Sequence, residues 1–416
     1  MKQYIAVLFV VLTLMSVAGG QISPQFFGMH ASTTNPWPTA VGVPFASWRS
    51  HDSVVMWSDI NTAPGVYDWT RLDYFIQFAE KNGQSVLYTV YYTPSWASSS
   101  PNYSCTVNAL GGCAPPNDLN PDGTGTDQHL KDFITALMQH EGPGKIQYLE
   151  VWNEPNIQAE YTGTIAQIVR MAQDINQVAK SYDPNVKIVS PAETGDGQTA
   201  EEAPKATWLG EFLAGGGGQY VDIIGLHGYV LDPECVITRI NAALAQMAQY
   251  GQSAKPLFVT EGSWSNKLGQ FPTDQQPGFA FRHYLSILST PVQRFYVYAY
   301  NNPSEGNLYD EATGQLTTNA LVYERFYGWL VGATMTLPCQ AQSSGSSIWS
   351  CNFTKPNNVK AEVIWDTALP WGQTTTVSVP NQYMRYLDLY GNNYPIQNHQ
   401  VPVGYDPIVL VVQGAL

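Results

Sequence analysis

Short apolar runs alternate with longer amphipathic stretches through the first three quarters of the chain. Runs rich in apolar and β-favouring residues, bounded by Gly, Pro or polar clusters, read as buried strands. Phe26–His30 and Pro44–Arg49 are the first two, followed by Ser85–Tyr92, Tyr148–Val151, Val186–Pro191, Val221–Tyr229, Leu257–Thr260 and Arg294–Tyr300. Between them, helical stretches cover Trp69–Asn82, Asp127–His140, Thr164–Ser181, Ile237–Tyr250 and Asn319–Val331. Gly83 stops the first of these at a C-terminal cap. Thr33–Val43 is rich in Pro and Gly, so any helix there is short or absent. Eight strands with helices between them, over roughly 300 residues, have the count and scale of a (β/α)₈ (TIM) barrel, an α/β fold. A doubly wound open sheet fits less well, because no Gly-rich phosphate loop follows an early strand.

From Met335 the texture changes. Ser347–Phe353, Ala361–Trp365, Thr374–Val379, Tyr383–Leu389 and Ile408–Val412 read as short strands separated by Pro, Gly and Asn. The expected organisation is therefore a barrel over 21–333 and a small C-terminal all-β sandwich domain over 334–416. Residues 1–20 read as a secretory signal: Lys2, an apolar run from Ile5 to Met15, then small residues with cleavage after Ala18 or Gly20. The expected location is secreted or periplasmic, with no membrane contact after cleavage, since no later stretch is long and apolar enough to span a bilayer.

Charge narrows the function classes. A net charge of −14 argues against nucleic acid as a partner, because it leaves no basic face for phosphates. Only 12% of residues are charged, about half the usual ~25%, so neutral polar groups supply most of the surface. The 12 Trp and 25 Tyr suit a site that stacks sugar rings. In an oxidising compartment Cys105–Cys113 and Cys339–Cys351 are the near pairs expected as disulfides, with Cys235 left over. The cysteine spacings match no zinc template, and no metal or other cofactor is expected. The loop 97–125 is long for a connection inside a compact domain and is expected to serve the site.

In a barrel the side chains at the C-terminal strand ends converge on one mouth. Here those ends are His30, Arg49, Trp96, Asn153 with Glu154, Glu193, His227 with Tyr229, Glu261 and Tyr300, and Trp264 stands just past the seventh strand. Glu154 follows strand four in Tyr148-Leu-Glu-Val-Trp-Asn-Glu-Pro-Asn156, where Pro155 ends the ladder. Glu261 ends strand seven in the same way, and strands four and seven face each other across an eight-membered ring. Two facing carboxyl groups are what glycoside hydrolysis requires. Arg49 and the Tyr229 hydroxyl are expected to lower the pKa of Glu261, and an ionised neighbour to raise that of Glu154. Trp96 and Trp264 could stack on sugar faces, whereas Trp37 and Trp57 fit a core role at least as well.

Trp152-Asn-Glu-Pro-Asn156 and Thr260-Glu261 resemble the clan A glycoside hydrolases, the retaining (β/α)₈ enzymes. With Trp48-Arg-Ser-His-Asp52, Gly65-Val-Tyr-Asp-Trp69, Thr93-Pro-Ser-Trp96 and His227-Gly-Tyr229, the set looks most like the family 39 glycosidases and their relatives. The resemblance spans nearly all of the mature chain. It departs at strand eight, which ends in Tyr298-Ala-Tyr300 where many clan members carry Trp. It implies Glu154 as general acid/base, Glu261 as nucleophile, and Asn153 on the sugar 2-hydroxyl; by their places at or just past the strand ends, Arg49, His227, Tyr229, Trp96, Trp264, Tyr300 and His30 are expected about the substrate. The substrate class is then an oligo- or polysaccharide with β-linked sugars. An exo-acting β-xylosidase or arabinosidase stands as the alternative to an endo-acting glucanase or xylanase. A silent, carbohydrate-binding barrel is the reading from a different class; retention of both glutamates with Arg49 and Asn153 speaks against it.

Overall fold

The computed structural model describes residues 20–105, 110–195, 207–263 and 275–412; Trp264 and all but the last residue of the expected signal segment lie outside them. Parallel strands β1 (Phe27–His30), β2 (Ser47–Arg49), β3 (Ser85–Val90), β4 (Tyr148–Val151), β5 (Lys187–Val189), β6 (Ile224–His227), β7 (Leu257–Gly262) and β8 (Val292–Val297) form one sheet in the order β5-β4-β3-β2-β1-β8-β7-β6. Bridges from Val189 to Ile223 and from Glu193 to Leu226 join its two outer members and close the ring. Nearly every position in these strands is buried, which is why they read as unbroken apolar runs instead of alternating ones.

Helices Thr70–Lys81, Gln128–Glu141, Ile165–Tyr182, Cys235–Gln249 and Thr318–Leu330 fall within two residues of their expected bounds, and only a 3-10 turn, Pro38–Val41, separates β1 from β2. Thr164 starts its helix with a capping box, its hydroxyl accepting from the Gln167 amide while the Gln167 side chain accepts from Thr164 N. Helix Gln276–Leu288 was not expected, and its environment explains why. Every residue from Gln276 to Ile287 is buried, so the sequence lacks a polar face to mark the helical period. It lies under the C-terminal sheet. Helix Thr207–Ala214 was also not foreseen.

The C-terminal region is an antiparallel six-stranded sheet in the order 334–341, 348–355, 359–366, 408–412, 383–387, 393–395, covered on one side by a two-stranded ribbon of 374–378 and 400–404. The expected sandwich is therefore present with unequal layers. Period-two alternation divides its faces. Val363, Trp365, Val409 and Val411 join the main core shared with the barrel, whereas Ile364, Ile408 and Leu410 pack under the ribbon with Val401 and Val403. Glu234, at the start of helix Cys235–Gln249, ties the two parts together. It accepts from Arg282 Nε (2.8 Å) and Nη2 (2.7 Å) and from the Trp365 indole (2.7 Å). Among the described residues both expected disulfides, Cys105–Cys113 and Cys339–Cys351, are formed, and Cys235 is free.

Candidate active site

The backbone beyond β4 is built to turn side chains inward. Trp152 and Glu154 both take left-handed conformations (φ 68° and 42°), which non-glycine residues adopt only where surrounding structure holds them. Here that support comes from Trp152 N to Val90 O (2.9 Å), Glu154 N to Ala192 O (3.0 Å), and the buried Trp152 indole donating to Glu160 O (2.8 Å). On the facing side, the β6–β7 register shifts between Leu226 and His227, so His227 comes to stand opposite Glu261.

Glu261 is almost fully buried and accepts from Arg49 Nη1 (2.8 Å, Oε2) and from the Tyr229 hydroxyl (2.6 Å, Oε1). Glu154 shares a 2.7 Å hydrogen bond with His227 Nδ1, and His227 Nε2 lies 3.5 Å from Glu261 Oε2. An imidazole thus stands between two carboxyl groups, with ligand atoms of all three within 4.8 Å of one another. Burial lowers the His227 pKa to about 4, so the ring is neutral at ordinary pH.

Arg49 is the hub. Besides Glu261 it reaches Asn153 Oδ1 through Nη2 (2.9 Å) and Glu150 Oε2 through Nε (2.8 Å) and Nη2 (2.6 Å). Thr89 also donates to that Glu150 oxygen (2.9 Å). Glu150 was missed in the sequence; its only signal is an acid inside an apolar strand, four residues before Glu154. His51 was missed as well, although its Nδ1 lies 4.0 Å from Glu261.

The pKa shifts differ in part from expectation. Glu154 is raised, mainly by burial, as expected in direction. Glu261 is pushed up to about 7, because burial and the neighbouring Glu154 charge outweigh the pull of His227, Arg49 and Tyr229. Desolvating this buried carboxylate costs more than its hydrogen-bonding partners return, so the expected lowering of Glu261 does not occur.

Residues 87–323, more than half of the chain, match the glycosyl hydrolase catalytic core family. The chain belongs to that family. No curated protein matches it by sequence. Its fold is shared with a monomeric β-xylosidase from Caulobacter crescentus CB15 (TM-score 0.65, 15% identity, 94% of this chain and 96% of that one). A glucosidase from Croceicoccus marinus (0.60, 14%, 92% and 82%) and a family 30 endoxylanase from Clostridium papyrosolvens C71 (0.57, 13%, 95% and 98%) share it too. At such identities the likeness is one of fold.

The structure of this glycosyl hydrolase brings Glu154, Glu261, Arg49, Asn153, His227, Tyr229 and His30 into one cluster. His30 Nε2 donates to Thr260 O (3.0 Å) beside Arg49, its ring held neutral because burial keeps its pKa well down. Tyr300 is not part of it: fully buried, it stacks on Tyr309 at 5.4 Å, because β8 ends at Val297 and strand alternation does not carry past that point. Tyr298 takes the position nearer the cluster, its ring 5.0 Å from His30 and its hydroxyl donating to Asp52. Trp96 lies in a different cavity, with its indole bonded to Asn61 O (2.9 Å). Glu193 accepts from Leu209 N (2.9 Å) at the start of helix Thr207–Ala214, consistent with a structural role. Trp37 and Trp57 are core residues.

Proposed function

We propose that this glycoside hydrolase is exported and cleaves β-linked glycans with retention of configuration, by double displacement through a glycosyl-enzyme ester on Glu261. The observation that carries the reading is the Glu154–His227–Glu261 arrangement, with carboxyl oxygens of the two acids within 4.8 Å of each other. Retention needs the carboxyl groups about 5–5.5 Å apart, whereas inversion needs ~6.5–9.5 Å to admit a water between them. The short separation favours retention. The motif set further supports a place near family 39 within the clan.

The hydrogen bonding supports this division of roles. Glu261 receives a cationic donor as well as a hydroxyl, groups that stabilise a carboxylate, while Glu154 is bonded to a neutral imidazole and to the Thr194 side chain, both uncharged. With the His227 proton on Nε2, Nδ1 can accept from a protonated Glu154 while Nε2–H faces the Glu261 anion. In the first step Glu261 attacks the anomeric carbon, the glycosidic C–O bond breaks, and Glu154 gives its proton to the leaving oxygen. Esterification removes the negative charge from Glu261, so Glu154 ionises more readily. It then takes a proton from water, whose oxygen attacks the anomeric carbon and releases Glu261. Asn153, held by Arg49, would bond the sugar 2-hydroxyl, a contact that strengthens as charge develops at the ring.

A 2-deoxy-2-fluoro glycoside with a good leaving group should label Glu261, seen as a mass increase on its peptide; labelling at another carboxylate overturns the assignment. The pH profile offers a second check. The two acids titrate as a pair, and the form holding one proton is the active one. Both pKa values are raised, so the kcat/KM bell should be centred above the range of ordinary carboxyls. Its acid limb, where Glu261 gains a proton beside an already protonated Glu154, should lie above the usual carboxyl range, held there by burial. In Glu154→Gln the alkaline limb should vanish while the acid limb stays close to its place, because Glu154 is already uncharged where Glu261 takes up its proton. An alkaline limb that survives in Glu154→Gln would remove Glu154 as the acid.

A further inference from the structure

A cavity of about 460 Å³ lies on the barrel flank, between helix Gln128–Glu141 and the loop that follows helix Trp57–Ile60. None of its lining residues contacts Glu154 or Glu261. It is lined by two half-buried aromatic rings, Tyr67 and Trp96, and by the polar side chains of His129, Asp132, Thr135 and Gln139. Among the described residues no Lys or Arg lines it, so it offers an anion no fixed positive charge. Aromatic faces beside neutral or acidic hydrogen-bonding groups match a sugar, which is apolar across its ring faces and hydroxylated around its edge.

The lining is fixed before any ligand arrives. Asn61 Nδ2 donates to Ala63 O (2.8 Å) and Val66 O (3.1 Å), while Asn61 O receives the Trp96 indole, so one residue sets both the loop and the Trp96 ring. Tyr67 stacks on Trp69 at 5.3 Å, and Trp69 in turn on His140 at 4.7 Å. Trp96 meets His129 edge to face at 5.0 Å. Burial and the Asp132 charge hold the Tyr67 hydroxyl above its usual pKa, which keeps it a donor. Rings held this firmly lose little freedom on binding.

We infer that this flank cavity is a second carbohydrate site, which grips a neutral segment of a polymeric substrate away from the Glu154–Glu261 pair. The inference rests on the glycosidase reading for the identity of the polymer, though binding can be measured without turnover. Trp96 then contacts glycan, but away from the reacting bond.

The test is native electrophoresis of the full chain through gels containing soluble xylan, xyloglucan or mixed-linkage β-glucan, alongside kinetics. At least one polymer should retard the unmutated protein, and Tyr67→Ala and Asp132→Ala should weaken that retardation roughly threefold to tenfold. On the same polymer these variants should raise KM with kcat kept, while kcat/KM on small aryl β-glycosides stays unchanged. Either of two results overturns the site: no retardation by any polymer, or retardation equal in variants and parent. Equal losses on aryl glycosides and polymer would also overturn it, by assigning these residues to the reacting centre. Failure of the glycosidase reading would look different: no turnover of any substrate, with retardation still reporting on the cavity.

Discussion

Glu261→Ala should lose on the order of 10⁴–10⁶-fold in kcat on aryl β-glycosides, the scale seen when a covalent nucleophile is removed from a preorganised site. Azide should restore turnover by occupying the vacated space, and the glycosyl azide formed should have the inverted anomeric configuration, because the small anion attacks from the Glu261 side. Glu154→Ala should behave differently. Activated aryl glycosides should keep their first step while substrates with poor leaving groups slow sharply, and azide should then give a product of retained configuration. Product stereochemistry read by NMR separates the two roles. The same azide anomer from both variants would remove the assignment of either glutamate.

Arg49→Met should be the most damaging single change to stability, and it should lower activity as well. The guanidinium is fully buried and neutralises Glu150 and Glu261 together while orienting Asn153. Removing it strands buried carboxylates, which typically costs about 3–5 kcal/mol, measurable as a lower denaturant midpoint. Activity should fall by at least about 100-fold through loss of alignment. Adding Glu150→Gln to Arg49→Met removes one stranded charge and should recover part of the stability. It should leave kcat/KM low, since Glu261 still lacks its donor. Recovery of both together would mean that Arg49 serves only the fold.

Much of this architecture was legible in the sequence because parallel strands buried on both faces leave continuous apolar runs. Glu154 and Glu261 stood out by ending such runs, and His227-Gly-Tyr229 by falling at a third strand end. Glu150 did not stand out. It points to the interior one turn of alternation below the mouth, and its importance depends on Arg49, which is distant in sequence. Helix Gln276–Leu288 was hidden for the opposite reason: with core on all sides, it has no polar stripe. Strand Thr334–Ala341 was hidden by Pro338 and by register shifts that interrupt its alternation. The raised pKa of Glu261 depends on how completely the cavity excludes solvent, which residue identity alone does not reveal.

The Glu234–Arg282–Trp365 contact bears on how the chain can be divided. Helix Gln276–Leu288 belongs by sequence to the barrel, yet it is covered on its outer side by the trailing sheet. A protein shortened at the apparent boundary would expose a greasy rod and leave Arg282 beside Glu234 without the indole that completes their contact. The trailing sheet therefore acts as an outer wall of the enzyme, and not as a detachable accessory.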